Sequence, residues 1–332
     1  MNDMIFIESE NFNPSFNLAL EQFVFDEMPK NEHYFILWQN DNTIVVGLNQ
    51  NTVEEINPEY VEDNDIQVVR RLSGGGAVYH DLGNLNFTFI SDVENLELMN
   101  MKIFCDPIIK TLSKLGIQAK ITGRNDITID GKKFSGNSQY IKKGRIMHHG
   151  TILFDSNLQV ISQALSFSKD KIESKGLKSK KSSVTNIREN LQKDITIDEF
   201  KEVLISNIFI ESEVSKYELT ANDIDKVNAI KEGRYDTWEW NYGASPKYNI
   251  MKTRRVVNCG KIEIYMNIVQ GKIETIRIMG DFFGKHDILE LENHLCGIQN
   301  EKKCIADRLK IINLEKYICN LEADELVKIL TL

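Results

Sequence analysis

The stretch from Arg70 to Asp81 reads RRLSGGGAVYHD, with two adjacent arginines, three consecutive glycines and a histidine. Glycines carry no Cβ, so a ligand can approach the backbone and meet its N–H groups, with two fixed positive charges alongside. That chemistry suits an anion. Two familiar phosphate loops do not fit. A P-loop requires lysine directly after its closing glycine, and none follows here. A G-x-G-x-x-G fingerprint starting at Gly74 would need glycine where Tyr79 stands. Both loops also lead into a helix, whereas AVYHDLGNLNFTFI alternates as a sheet does. The reading left is a strand–loop–strand anion site. Arg70 and Arg71 are neighbours on the predicted strand and leave by opposite faces, so at most one points into the site. The other braces the loop or pairs elsewhere. The competing reading is a glycine-rich hairpin with solvated arginines.

A second dense stretch is GRNDITIDGKKFSGNSQ. Lys133 lies close to Ser135-Gly136, and a lysine there is a compact point charge able to bridge a carboxylate and a phosphate. Asn125 and Asp126 add an amide and a carboxylate; Asp126 suits Mg²⁺ or a base amino group. Lys132 is read as a solvated hairpin tip. His148 and His149, adjacent in an apolar strand, face opposite ways and make a poor metal pair; one buried and one exposed is the expectation. His80 follows the glycines and can line the same cavity. Lys169 to Lys181 holds six lysines and two acids. Such a run is either a solvated, disordered segment or a loop that closes over a bound polyanion. None of the five cysteines has a neighbouring His or Asn that would mark a nucleophile.

The elements that must position these residues follow from periodicity. Ser15 is the expected N-cap of a helix with apolar face Phe16, Ala19, Leu20, Phe23 and Val24. YFILW, TIVVGL, DIQVVRRL, AVYH, LNFTFI, IQAKI and RIMHHGTILF read as strands. DITIDGKKFSGNSQYI reads as a hairpin turning at Asp130-Gly131. Helices are expected near Met101–Leu115 and Ile197–Phe209. After Trp238–Gly243 a three-stranded meander, turning at Cys259-Gly260 and Gln270-Gly271, precedes two or three helices. The fold class is α+β, with a domain boundary near residue 245, giving segments 1–245 and 246–332.

The chain has 332 residues and a net charge of −9, which argues against a general nucleic-acid coat while leaving room for a local basic site. The first residues do not make a signal peptide, and no stretch reaches the roughly 18–20 apolar residues of a membrane span. Five cysteines without a C-x-x-C pair suit a reduced compartment, so a cytoplasmic protein with no membrane partner is expected.

Taken in order, FNLALEQ, LWQNDNTIVVGLNQN, RRLSGGGAVYHDLGNLNFTF, GRNDITIDGKKFSGN, HHGTILF, KSKKSSVTNI and WEWNYG resemble a lipoate–protein ligase of the two-domain type, over essentially the whole chain. The resemblance implies a large mixed-sheet catalytic domain of the biotin/lipoate ligase type and a small α+β C-terminal accessory domain. It implies two steps. Lipoate attacks the α-phosphorus of MgATP to give lipoyl-AMP and pyrophosphate. The lipoyl group then moves to a lysine of a carrier domain in a 2-oxoacid dehydrogenase complex or of the glycine-cleavage H protein. By resemblance Arg71, Gly76, Ala77, Val78, Tyr79, Asp126 and Lys133 bind ATP, and Lys133 is catalytic, touching both substrates. Arg70, Gly75, Lys133, His80 and His149 fall at the lipoate. Lys175, Lys178, Lys181, Ser183 and Thr185 belong to a loop ordering over the adenylate, and Asp126 lies near Mg²⁺. Trp38, Val46 and Gly47 are expected along the acyl slot. After Lys133-Phe134-Ser135-Gly136 the sequence NSQY departs from many relatives, which leaves lipoate versus octanoate preference open. Two other readings compete: an ATP-independent acyltransferase of the same fold, using in several relatives a nucleophilic cysteine, and a ligand-binding sensor without turnover.

Overall fold

The computed structural model describes residues 4–92, 101–123, 125–165, 184–209, 215–243, 250–269 and 271–331. Fourteen strands are described: β1 Met4–Glu8, β2 His33–Trp38, β3 Thr43–Val46, β4 Gln67–Arg70, β5 Val78–His80, β6 Asn84–Asp92, β7 Ala119–Thr122, β8 Asp126–Ile129, β9 Lys132–Lys142, β10 Arg145–Leu153, β11 Ser215–Lys216, β12 Ile250–Val256, β13 Gly260–Val269 and β14 Lys272–Gly280. They form an eight-stranded sheet in the order β11-β1-β2-β6-β10-β9-β8-β7 and two three-stranded sheets, β4-β3-β5 and β12-β13-β14. The large sheet is mixed: β11, β1 and β2 run parallel, and every later pair is antiparallel.

Alternation decides which face of the large sheet does what. On β6, Leu85, Phe87 and Phe89 enter a core under the helices Lys102–Lys114 and Ile197–Ile208, with Phe35 and Leu37 of β2 and Ile146 and Ile152 of β10. The opposite face carries Tyr34, Ile36, Ile90 and Met147 beneath the helix Pro14–Asp26. Further along that second face the side chains turn polar. Register places Asn86 between Trp38 and Thr151, and Thr88 between Ile36 and His149. The small sheet β4-β3-β5 carries the segment that covers these polar rows.

The hairpin of β8 and β9 turns at Asp130 (φ 50°) and Gly131 (φ 78°), the positive pair a two-residue turn requires. Helix Pro14–Asp26 is capped by Asn13, whose side chain accepts from the Phe16 amide, with Pro14 in the first turn. Ser15 is therefore not the cap. It is buried and donates to the Tyr235 carbonyl. Helix Ile197–Ile208 starts with a reciprocal capping box between Thr196 and Glu199. In the meander, positive φ falls on Asn258 and Gly260 at the first expected turn and on Gly271 at the second.

Residues from Ile250 onward build their own core. Ile262, Ile264 and Met266 of β13 pack with Ile276 and Ile278 of β14 against the helices Ile288–Leu295, Lys302–Leu309 and Ala323–Thr331. The expected boundary near residue 245 lies outside the described residues. No described helix is long and apolar enough to cross a membrane.

Gly83 and Gly76 make opposite predictions. A Cβ at Gly83 would lie 2.1 Å from the Asp155 carbonyl oxygen, a backbone atom that cannot swing away, while at Gly76 it would meet nothing within 4 Å. Gly83→Ala is expected to destabilise the chain by about 1–3 kcal/mol. Gly76→Ala should leave stability within roughly 0.5 kcal/mol. Urea unfolding midpoints decide both; an undisturbed Gly83→Ala would mean that the Asp155 backbone yields.

Candidate functional site

Between the polar rows and the small sheet lies a cavity of about 100 Å³. Register orders its floor into two cross-strand rows. One runs Trp38, Asn86, Thr151, and continues to Gly136, whose amide donates to Thr151 Oγ1 at 3.1 Å. Gly136 in turn pairs with Asp126 on β8. The side chain of Lys133 folds over Gly136, where a Cβ would come within 2.9 Å of Nζ, and Nζ meets Asp126 Oδ1 at 2.7 Å. The second row runs Ile36, Thr88, His149, Ser138. Leu18, Trp38 and Val45 supply apolar wall. The cavity thus has a cationic region at Lys133, an apolar wall and a floor of polar side chains.

Both arginines of the opening motif are buried, and both are engaged. Arg71 donates from Nη2 to the Gly74 and Gly76 carbonyls (2.7 and 2.8 Å), from Nη1 to Val45 O (3.1 Å) and from Nε to Ser73 Oγ (3.1 Å). Its guanidinium still lines the cavity. Arg70, leaving by the opposite face, is not brought to the cavity. It is held by the carbonyls of Gly47, Leu48, Gln50, Trp240 and Asn241 and by Thr52 Oγ1. Burial lowers each guanidinium to about 10, so both stay charged near neutral pH.

A buried chain of polar side chains runs from Arg71 to the helix Pro14–Asp26. Ser73 Oγ lies 2.5 Å from His149 Nε2, and His149 Nδ1 lies 3.0 Å from Glu21 Oε1. Thr88 donates to Glu21, and Trp38 Nε1 donates to Thr88. The carboxylate at Nδ1 fixes that proton, so Nε2 accepts from Ser73. Glu21, Thr88 and Ser73 lie within the stretches that carry the resemblance, but none of them stands out there as a site residue. The signal available was the alternation of Asn84, Asn86 and Thr88 against the apolar residues of β6, a polar face inside an otherwise apolar strand.

Of the expected site residues, Arg71, Gly76, Ala77, Val78, His80, Lys133 and His149 line the cavity. Asp126 joins through Lys133. Tyr79 points the other way and donates to Asn42 Oδ1. Gly75 faces Phe283. Trp38 lines the slot as expected, but Val45 rather than Val46 does so, because alternation on β3 turns Val46 into a separate apolar cluster. Gly47 packs against Gly75, whose carbonyl oxygen would lie 2.1 Å from an added Cβ. Thr185 is buried, and its amide donates to the Lys133 carbonyl at 2.9 Å. Lys175, Lys178, Lys181 and Ser183 lie outside the described residues. Among the described residues no group of three His, Cys, Asp or Glu could hold a metal.

His148 and His149 do face opposite ways, but both are buried, since both sheet faces are covered. His148 stacks on Phe104 at 4.7 Å and contacts Gln139 and Asn137. Nearby Cys105 is on that far face, and burial pushes its thiol up to about 12. Among the described residues no cysteine lines the cavity.

Burial lowers His148 to about 3, and lowers His80 to about 3 with help from Arg71 and His149. Unfolded, each would return to 6.5. The unfolded chain then binds more protons between those values, so their stabilisation is complete above pH 6.5 and is lost as pH falls towards 3. Between about pH 7 and 5, unfolding should take up on the order of two protons from these groups, and His148→Gln should remove roughly one. Denaturant unfolding across that range measures the slope; a flat profile would contradict two buried neutral imidazoles.

Residues 13–209 match the lipoyl protein ligase A/B catalytic domain, and residues 245–330 match the bacterial lipoate protein ligase C-terminus. The lipoate-protein ligase LplJ of Bacillus subtilis is 45% identical over 331 residues, covering 98% of this chain and 100% of that protein. The crystal structure of P. falciparum LipL1 in complex with lipoate is similar with a TM-score of 0.81 at 27% identity, covering 99% of each chain. A bipartite lipoate protein ligase from Thermoplasma acidophilum, solved in work on that archaeon's lipoylation system and its E2 lipoyl domain, gives a TM-score of 0.64 at 25% identity. It covers 75% of this chain and 99% of that one.

Proposed function

The chain belongs to the lipoate–protein ligase family, and on that premise we propose how its cavity activates lipoate with ATP and passes the lipoyl group to a carrier lysine. The observation that carries this reading is Lys133, a cation in a cavity that also has an apolar wall. A fatty-acid-like chain fits the wall of Leu18, Trp38 and Val45, which leaves its carboxylate at Lys133. The segment Gly76-Ala77-Val78 offers close backbone approach to the nucleotide.

In the first step a lipoate carboxylate oxygen bonds to the α-phosphorus, and the bond from that phosphorus to the β-phosphate bridging oxygen breaks, releasing pyrophosphate. Lys133 stands where charge moves from carboxylate to phosphate and stabilises it without a proton transfer. In the second step the amine of a carrier lysine attacks the acyl carbon, loses a proton, and AMP leaves. The carrier is a lipoyl domain; the glycine-cleavage H protein is proposed as a further acceptor. Asp126 and Asn125 suit a Mg²⁺ ion carried by ATP, since such an ion commonly takes one or two carboxylates and completes its shell with phosphates and water. That ion would supply further positive charge to the phosphates.

Arg71 is assigned to nucleotide binding through the loop that it shapes, and Arg70 to bracing the neighbouring 47–52 segment. His80 and His149 are assigned to the lipoate side. Thr185 and the lysines before it are assigned to the segment over the adenylate, which would keep water from the mixed anhydride. Residues 1–245 are proposed as the catalytic domain and 246–332 as the accessory domain, supported by the separate core after Ile250. Five free cysteines support a cytoplasmic location. The lack of a cysteine at the cavity favours the ligase over a cysteine-dependent acyltransferase.

Two measurements test the reading. Incubated with lipoate, Mg²⁺ and an unmodified lipoyl domain, the protein should add one lipoyl mass to that domain only when ATP is present. Modification without ATP would transfer the reading to an acyltransferase. Lys133→Ala should lower lipoate-dependent pyrophosphate exchange by roughly 10²–10³-fold, the range for losing one transition-state donor. Near-normal exchange in that variant would remove Lys133 from the chemistry.

A further inference from the structure

We propose that Asn40 and Asn86 lock His80 in its neutral Nε2–H form and so aim a hydrogen-bond donor at a carboxyl oxygen of the lipoate ligand. The proposal rests on the ligase reading and adds two positioning residues to it. His80 is 2% exposed and lines the cavity. Its Nδ1 lies 3.2 Å from Asn40 Nδ2 and 3.5 Å from Asn86 Nδ2.

The orientation of each amide is set from behind. Asn40 Oδ1 accepts from Asn17 Nδ2 at 3.0 Å, and Asn17 Oδ1 accepts from Ser9 Oγ at 2.6 Å. Asn86 Oδ1 accepts from Asn84 Nδ2 at 2.9 Å. Each asparagine has its oxygen occupied and can present only N–H groups to the ring. An amide N–H can donate to Nδ1 only if Nδ1 carries its lone pair, so the ring proton belongs on Nε2. Protonation of the ring at Nδ1 would set N–H against N–H. Burial, with the Arg71 charge beside it, keeps the ring neutral.

Nε2 is buried and has no partner among the described residues. An orphan donor in a closed site is costly, and a ligand acceptor would relieve it. Position points to which acceptor. His80 bonds to Asn86, and Asn86 lies in the row that leads through Thr151 to Gly136 and Lys133. From Asn86 to Gly136 is two strand spacings, about 10 Å. His80 and Lys133 therefore approach the same row from its two ends. The dithiolane sulfurs are weak acceptors, whereas a carboxylate or acyl oxygen is a strong one. Before activation the oxygen belongs to the carboxylate; afterwards it is the acyl carbonyl, which gains charge as the carrier amine attacks.

The test begins with the proton itself. In protein labelled with ¹⁵N-histidine, His80 should show protonated Nε2 and bare Nδ1 near neutral pH, and its Nε2–H resonance should shift when lipoate is added without ATP. A ring protonated at Nδ1, or an Nε2–H resonance unmoved at saturating lipoate, overturns the proposal. In pyrophosphate exchange, His80→Phe should raise the KM for lipoate by about tenfold or more, with the KM for ATP unchanged. His80→Gln, whose amide can still donate, should recover most of that loss. Asn40→Leu should populate the other tautomer by NMR and raise the lipoate KM, and adding His80→Phe to it should cost less than in the wild type. Equal lipoate KM values for wild type and His80→Phe would sink this proposal alone. A wild-type protein without lipoate-dependent exchange would sink the ligase reading instead.

Discussion

The glycine loop can present bare backbone to a ligand because two buried guanidiniums satisfy backbone that has no ladder partner. Buried carbonyls must find donors, and a loop of glycines brings no side chain to help. Arg71 supplies donors to Val45, Gly74 and Gly76, and Arg70 supplies them to the neighbouring 47–50 turn and to the Trp238–Asn241 helix. Five N–H groups in a planar fork suit this task where a lysine would not. The arginines take opposite roles through one geometric fact: neighbours on a strand leave by opposite faces. One ends beneath the ligand loop and the other ends behind it.

The second constraint is the large sheet, covered on both sides. A polar row on a covered face is tolerated only if its members satisfy one another. Trp38, Thr88, Glu21, His149, Ser73 and Arg71 do so as one chain whose donors converge on Glu21 from both ends. Ser9, Asn17, Asn40, His80, Asn86 and Asn84 form another, which leaves His80 Nε2 and Asn84 Oδ1 open among the described residues. The polar chemistry of the cavity is the part of the sheet that was not given over to the core. This also explains why the histidines of β10 differ in use: His148 sits among phenylalanines and His149 sits among hydroxyls and a carboxylate.

Legibility in the sequence followed the range of the interactions. Local rules found the Asp130-Gly131 turn, the strands flanking the glycines, the opposite faces of His148 and His149, and the proximity of Lys133 to Gly136. Local rules also misplaced the first cap, because Asn13 followed by Pro14 outcompetes Ser15, whose hydroxyl answers to a carbonyl far along the chain. The expectation of one exposed histidine failed because nothing nearby in sequence announces that a second layer covers the far face. Glu21 lies on a helix and Thr88 on a strand, and only the packing of one on the other makes them partners. Arg70 was assigned to lipoate by resemblance; its six oxygen partners come from two separate segments, which no spacing rule could have joined.

Three glycines in a row have two separate causes. The C-terminal unit lies against the outer side of the loop: the Gly75 amide reaches the Phe282 carbonyl at 3.4 Å, and the Gly280 amide reaches Asn49 O at 2.7 Å. A Cβ at Gly74 would come within 2.7 Å of Phe282 O, and one at Gly75, where φ is +92°, would press on Phe283 and Arg71. Gly76 alone opens on free space and lines the cavity. The first two glycines are thus required by contact with the small unit and by backbone conformation; the third is held by neither and borders the cavity. A loop read as one anion cradle is a hinge point of two surfaces, and the small unit shapes the site without contributing a lining residue to it.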